Sequence, residues 1–310
     1  MIKEKTNGPY SLNVYLTYKC NQLCPFCKRQ QSGYVNSQAK DFDAQMASDV
    51  ISRFQDLKNI CIAGFGEPLL SNSLYKVIDV FVSKRISTNV ITNGVLLKKH
   101  ATRILNSGLS SISVSVNASN KEERKTITGL DSWDDMISGI KILISGGMDV
   151  STSFVITKNN WMNIPSYFKE MSYLGIGYRI DLLNLLPHSD DELDINNFNN
   201  LTIKDTDTDI LCEIDKFKKM GGSQNVRNWP VGSPTGKIDK SSCRSPFNTI
   251  GIDGDGNCTS CSRVYGPSDM DANIKDLDVW NSESFINLRS EVSGEKEKKI
   301  LCSKCWGHLQ

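Results

Sequence analysis

Histidine is scarce in this chain, three residues in 310 (His100, His188 and His308), so a metal site built on imidazoles has little to draw on. Net charge is lacking as well. The 36 lysines and arginines stand against 35 acids, and a chain with no basic field is a poor general binder of nucleic acid or of a membrane surface. No apolar run approaches the ~20 residues of a membrane span. The opening MIKEKTNGPYSLNVYLTY has neither the apolar centre nor the small-residue cleavage site of a signal peptide. A soluble, cytoplasmic protein with no nucleic-acid or membrane partner is the expectation. Internal repeats are absent, which excludes solenoids and propellers. Ser-His-Asp, Walker and Rossmann patterns are not evident either, which leaves no basis for hydrolase, kinase or nicotinamide chemistry. Against these absences stand ten cysteines. Cytosolic thiols stay reduced, so a set of that size points to metal or redox chemistry.

The order of hydrophobic periods predicts the architecture. Leu12, Val14 and Leu16 alternate with polar positions and predict a strand over 11–17 that ends just before Cys20. A helix follows at 43–55, a strand at 58–64 and a helix carrying Leu74, Val77, Ile78 and Phe81. A strand at 86–92, a helix at 96–107 and a strand at 110–116 continue the rhythm. Ser132 and Asp135 resemble a capping box ahead of Trp133, Met136, Ile137 and Ile140, and Gly146-Gly147 stops that helix. Strand 150–157, helix 163–174 and strand 178–186 complete six alternations, an α/β pattern that calls for a parallel sheet, open or curled toward a barrel. Residues 190–215 break the rhythm with nine acids and one lysine, and Gly221, Gly222, Pro230, Pro234 and Gly236 mark a loop-rich stretch after them. Three regions result: 1–187, a connector at 188–242, and a cysteine-bearing unit at 243–310. In the last, NTIGIDGDGNCTSCSRV reads as two short strands about Gly254-Asp255-Gly256, with a helix near 282–291.

Cys20, Cys24 and Cys27 stand as C-x3-C-x2-C just past the first strand. Three thiolates in one loop either borrow a fourth ligand or leave one metal position open, since structural zinc and a closed iron-sulfur cubane both want four. Gly64-Phe65-Gly66-Glu67-Pro68 closes the second strand, where small residues let backbone approach a ligand and a carboxylate at a strand's C-terminal end faces the usual α/β site. A second set, Cys243, Cys258, Cys261 and Cys302-x-x-Cys305, reads by spacing alone equally as a zinc ribbon or an iron-sulfur site.

CNQLCPFC, with Phe26 between its last two cysteines, resembles the CxxxCxΦC signature of the radical S-adenosylmethionine (SAM) superfamily. Gly64, Gly66, Glu67 and Pro68 resemble its GGEP-type motif, Thr92-Asn93-Gly94 its TNG element, and Ser115 with Asn117 its fourth-strand SAM contacts. The resemblance covers 10–187 and implies a partial (βα)6 TIM-like barrel. It implies a [4Fe-4S] cluster on Cys20, Cys24 and Cys27, and SAM whose amino group is held by the backbone and acid around Glu67. The C-terminal segment resembles the SPASM/twitch extension, 2-deoxy-scyllo-inosamine dehydrogenase-like, which implies a small iron-sulfur domain. A second [4Fe-4S] cluster would then be held by Cys243, Cys261, Cys302 and Cys305. Cys258 is left as either a buried strand residue or a hydrogen-atom donor, and Cys61 as a core residue. Arg263 and His188 are candidate substrate contacts. The implied activity is oxidation of a small polar metabolite, a sugar or aminocyclitol, with the second cluster as electron acceptor. The alternative is maturation of a ribosomal peptide. The barrel begins by residue 11 with no peptide-recognition domain before it, which tilts toward the small substrate. A flavodoxin- or ferredoxin-type reductant is implied as partner.

Overall fold

The computed structural model describes residues 8–27, 29, 39–182, 200–201, 203, 206–220, 243–261, 270 and 272–295. In chain order these form β1 (Ser11–Tyr15), α1 (Ala44–Arg53), β2 (Asn59–Ala63), α2 (Leu74–Ser83), β3 (Ser87–Thr92), α3 (Leu97–Leu105) and β4 (Ser111–Ser115). Then come α4 (Lys121–Thr128), α5 (Trp133–Ser145), β5 (Val150–Ile156), α6 (Ile164–Tyr173) and β6 (Gly177–Leu182). Beyond α7 (Thr208–Met220) follow α8 (Ser245–Asn248), β7 (Thr249–Asp253), β8 (Asn257–Thr259), β9 (Ala272–Asn273) and α9 (Glu283–Ser293). One sheet takes all nine strands in the order β6-β5-β4-β3-β2-β1-β7-β8-β9. Strands β1 to β6 pair in sequence and in parallel, the parallel sheet that the six alternations predict and the partial TIM-like barrel that the family resemblance implies.

The two faces of the sheet explain the strand sequences. Leu12, Val14, Ile60, Ile62, Ile112 and Val114 are buried toward the helices, where Val77, Ile78 and Phe81 of α2 and Met136 and Ile140 of α5 meet them. Each such side chain contributes about 1.5–3 kcal/mol by leaving water. The opposite face is polar. Asn13, Cys61, Asn89 and Ser111 stand in register on four neighbouring strands. Cys61 Sγ lies 3.8 Å from Asn89 Oδ1, Asn89 Nδ2 donates to Ser111 Oγ at 2.9 Å, and Ser113 and Ser151 share a 2.8 Å hydroxyl contact. Cys61 is therefore not the core residue that its strand position suggests. It is half-buried on this inner face.

Three further differences concern elements. The segment from 243 does not stand apart from the sheet, because β7 runs parallel to β1 along Ser11↔Thr249 to Tyr15↔Asp253. The hairpin expected about Gly254-Asp255-Gly256 is present as antiparallel β7 and β8. Ser132 starts α5 without a side-chain cap; its hydroxyl instead accepts from Arg124 Nε at 3.4 Å, while Asp135 pairs with Lys98 at 2.8 Å. Helix α4 has no counterpart among the predicted elements. No helix among the described residues is long and apolar enough to cross a membrane.

Candidate functional site

The cysteine loop leaves β1 at its C-terminal end, turns through a Cys27 N–H to Cys24 carbonyl bond of 2.9 Å, and buries Cys24 while leaving Cys20 and Cys27 half-buried. Burial pushes the Cys24 thiol up to about 12, and the neighbouring Cys27 and Cys20 add to the rise while Arg124 opposes it. The three sulfurs thus share one locality. The Cys24 thiol donates to Gln22 Oε1 at 3.4 Å, whereas Gln22 Nε2 is buried with no partner. A soft three-thiolate set beside an orphaned donor fits an iron-sulfur cluster whose sulfurs would accept from that donor. Among the described residues no three His, Cys, Asp or Glu groups converge closely enough to hold a single metal ion. Half-buried Phe26 lies in the turn between Cys24 and Cys27.

The loop after β2 is fastened to the cysteine loop. Glu67 N–H donates to the Lys19 carbonyl at 2.8 Å. Gly66 lies so close that a Cβ there would collide with the carbonyl oxygens of Thr17 and Lys19. Gly64 has φ +119°, and a Cβ on it would come within 2.6 Å of the Tyr15 ring. Glycine is required at both positions for space, and at Gly64 for conformation as well. Between them Phe65 stacks on Tyr15 and Tyr18 with ring centroids 5.0 and 5.2 Å apart.

Glu67 is only 1% exposed. Its carboxylate accepts from Leu69 N–H at 3.0 Å, Thr92 Oγ1 at 2.6 Å and Asn93 N–H at 2.6 Å. Burial pushes this carboxyl up from the ordinary carboxylate range, against the pull of those three donors and of Arg124. Both oxygens are engaged within the fold and tie the loops after β2 and β3 together, and a carboxylate has acceptor capacity beyond these three bonds. Buried Pro68 opens the short 3-10 turn that Glu67 caps.

Asn93 continues the network. Its Nδ2 donates to Asn21 Oδ1 at 2.8 Å and lies 3.8 Å from Cys20 Sγ. At the end of β4, half-buried Ser115 gives its carbonyl to Arg124 Nη1 at 2.9 Å. Asn117 is buried with φ +54°, a left-handed conformation that asparagine tolerates. Its Oδ1 accepts from Val155 N–H at 2.9 Å. The structure thus brings Cys20, Cys24, Cys27, Gly66, Glu67, Thr92, Asn93 and Ser115 to the C-terminal ends of β1 to β4, where α/β barrels carry their sites.

The second cysteine set is only partly described. Cys243 and Cys261 are half-buried, the latter just past β8, while Cys302, Cys305, Arg263 and His188 lie outside the described residues. Tyr15 OH and Ser260 Oγ, the second adjacent to Cys261, are buried without partners. Burial, then Cys261, Cys61 and Asp253, push the Tyr15 hydroxyl up, so its ring lies near Cys261. Orphaned donors beside Cys261 fit a sulfur-rich acceptor there. Of the two readings open for Cys258, its placement fits the first: it is fully buried in the apolar core, donates to the Gly256 carbonyl at 3.3 Å, and has its thiol pushed up by burial. That is the strand-residue reading, because a thiol turned into the core does not face the inner side of the barrel.

Sequence reasoning missed Arg124. Its signal was legible: Asn120 caps the helix, its Oδ1 accepting from Glu123 N–H at 2.9 Å, and Glu123 Oε2 reaches back to accept from Ser119 N–H at 2.6 Å. Gly129 then closes α4 in the left-handed region.

A parallel barrel with three thiols at the mouth of its first strand, knitted to a glycine-rich acidic loop, defines an α/β enzyme scaffold built around a thiolate-held group. The Radical SAM superfamily profile matches residues 14–170, just over half the chain, and the protein belongs to that superfamily. It is 31% identical over 180 residues to a probable GTP 3',8-cyclase of Saccharolobus islandicus (strain Y.N.15.51 / Yellowstone #2), covering 57% of each chain. A probable GTP 3',8-cyclase of Sulfurisphaera tokodaii is 32% identical over 181 residues, with 57% of this chain and 56% of that one covered. The match therefore spans a little over half the length of these relatives. Streptococcus suis SuiB bound to S-adenosylmethionine superposes with TM-score 0.70 at 18% identity, over 92% of this chain and 68% of that one. The anSMEcpe structure with bound AdoMet and Cp18Cys peptide gives TM-score 0.69 at 16% identity, over 96% and 86%. BtrN in complex with AdoMet and 2-DOIA gives 0.52 at 17%, over 97% and 94%. At 16–18% identity these likenesses show a shared fold.

Proposed function

We propose that this protein is a radical SAM oxidoreductase that removes hydrogen from an unactivated C–H of a small polar metabolite, a sugar or aminocyclitol, with an auxiliary [4Fe-4S] cluster as electron acceptor. When loaded, the cluster and SAM supply reductive cleavage of SAM to methionine and a 5'-deoxyadenosyl radical, the hydrogen-abstracting agent. Cys20, Cys24 and Cys27 would hold the first cluster. Backbone of the Gly64–Pro68 loop, shaped by Glu67, would meet the SAM amino group, and Thr92, Asn93, Ser115 and Asn117 would form the adjoining walls with Phe26. Cys243, Cys261, Cys302 and Cys305 would close the second cluster.

The polar inner face carries the substrate reading. Asn13, Cys61, Asn89, Ser111, Ser113 and Ser151 line strands β1 to β5 where an ordinary barrel packs branched aliphatics. Hydroxyls and amides in register suit a polyhydroxylated substrate better than an apolar one. One observation favours a second reading, peptide maturation: SuiB was also solved bound to its precursor peptide SuiA, and superposes with TM-score 0.69 at 17% identity, over 92% of this chain and 67% of that one.

The test begins with anaerobic reconstitution. About eight irons, in two [4Fe-4S] clusters, are expected, and dithionite with SAM should release 5'-deoxyadenosine; a physiological flavodoxin or ferredoxin should replace dithionite. Cys24→Ala should lose one cluster and keep the other. A fully iron-loaded protein that neither binds nor cleaves SAM overturns the proposal, and iron near four, or zinc at the second set, overturns its second cluster.

A further inference from the structure

Arg124 is fully buried, the largest side chain to be so among the described residues, and the function proposed above gives it no task. From the first turn of α4 its guanidinium reaches back beneath the strand ends. It donates to the Ser115 carbonyl at 2.9 Å, the Val116 carbonyl at 2.5 Å, Ser132 Oγ at 3.4 Å and the Asn93 carbonyl. These four acceptors are all neutral. The charges it senses are those of Cys24 and Glu67. A buried cation spread over neutral carbonyls is costly unless charge elsewhere repays it, and here that charge sits on either side of one residue.

The residue is Asn93. Its N–H goes to Glu67 at 2.6 Å, its carbonyl accepts from Arg124, and its Oδ1 accepts from Val95 N–H at 3.0 Å. Its Nδ2 goes to Asn21 Oδ1 at 2.8 Å and faces Cys20 Sγ at 3.8 Å. A carboxylate grips the peptide from one end and a guanidinium from the other. With main chain and side chain both fastened, the amide has one direction left, toward the sulfur of Cys20.

We propose that Arg124 is a positioning residue that sets the electron affinity of the first cluster, by locking Asn93 so that its side-chain amide donates to the Cys20 thiolate and by holding a positive charge near Cys24. The proposal rests on the reading that Cys20, Cys24 and Cys27 carry that cluster. One-electron reduction adds negative charge to the iron-sulfur core. An N–H donor on a ligand sulfur and a buried cation nearby both stabilise the reduced form more than the oxidised one, and so raise the reduction potential.

The test is a potentiometric titration of the reconstituted full-length protein with dithionite, followed by electron paramagnetic resonance. The signal that changes shape on adding SAM identifies the first cluster. Arg124→Gln and Asn93→Ala should each lower its midpoint, cutting the reduced-to-oxidised ratio at fixed potential about tenfold, which is ~59 mV for a one-electron couple. Arg124→Lys, which keeps the charge but not the planar fork, should fall between wild type and Arg124→Gln. The double variant Arg124→Gln/Asn93→Ala should shift by less than the sum of the single shifts, because part of the arginine's effect passes through Asn93. A SAM-responsive signal with the wild-type midpoint in both single variants overturns the proposal, and strict additivity overturns the route through Asn93. Should Arg124→Gln fail to fold, an unchanged midpoint in Asn93→Ala alone overturns it. Iron at the first site whose signal ignores SAM refutes the underlying reading of that site instead.

Discussion

Replacing Glu67 with alanine should make the metal-free chain easier to unfold, an effect distinct from any loss of cofactor. Three donors converge on the buried carboxylate: Leu69 N–H, Thr92 Oγ1 and Asn93 N–H. A buried donor stripped of its acceptor costs about 1–3 kcal/mol. The low end is appropriate, since a small polar cavity lets water take over part of the lost bonding, which gives about 3 kcal/mol for the three together. Arg124 loses the one carboxylate whose charge acts on it at the same time, and that adds to the cost. At roughly 2 °C per kcal/mol for a chain of this size, the melting temperature should fall by about 6 °C. Glu67→Gln keeps the shape and one acceptor but turns an NH2 group toward a donor, so it should lose an intermediate amount. Thermal or urea unfolding of the metal-free protein, followed by circular dichroism, reads the effect directly. Wild-type stability in metal-free Glu67→Ala, with SAM affinity alone reduced, would refute the reasoning and leave the acid a ligand contact alone.

Gly66→Ala forces a methyl group into the Thr17 and Lys19 carbonyls and should part the Glu67 loop from the cysteine loop. Reconstituted protein should then carry about half the wild-type iron, the loss falling on the first cluster. The pH response follows from buried thiols: Cys24 is pushed up to about 12 from an ordinary value of 9.0. A group held protonated by the fold contributes stability below its unfolded value and loses it as pH rises through the folded one, so urea midpoints of the metal-free chain should fall between pH 9 and pH 12. Because the ligands must shed protons to bind metal, iron uptake should improve between pH 7 and pH 9, as measured by iron assay. Cys258→Ala should leave product formation largely intact and no solvent deuterium on the reacting carbon, in keeping with a thiol enclosed in the core.

The strands that carry the site were legible because each alternates one aliphatic face with one polar face, as in Leu12-Asn13-Val14 and Ile60-Cys61-Ile62. The same alternation concealed Cys61, since periodicity says that a residue faces away from the aliphatic side but not what lies there. Helix α4 went unseen because KEERKTIT offers a single aliphatic residue, and what it buries is Arg124 and Thr128 rather than an apolar stripe. The spacing of the cysteines and of Gly66-Glu67-Pro68 announced which residues gather. It could not reveal that the acid turns inward, because a carboxylate serving a ligand and one serving a loop have the same sequence. Nor does TIGID carry any sign of the strand that it chooses as neighbour, since two isoleucines alternating with a threonine, a glycine and an aspartate would suit either edge of the barrel.

That choice of neighbour bears on how the chain matures. Without β7 the free side of β1 would be a bare row of backbone donors and acceptors, open to any passing strand. Ser11 must wait for Thr249 to be synthesised before it is covered, so the most exposed interval of biosynthesis coincides with the period when three reduced thiols hang just beyond that same edge. Shortened versions ending before residue 243 should therefore aggregate by strand addition even though every βα unit is present. The C-terminal cysteine-bearing segment thus shields the nascent barrel as well as extending it.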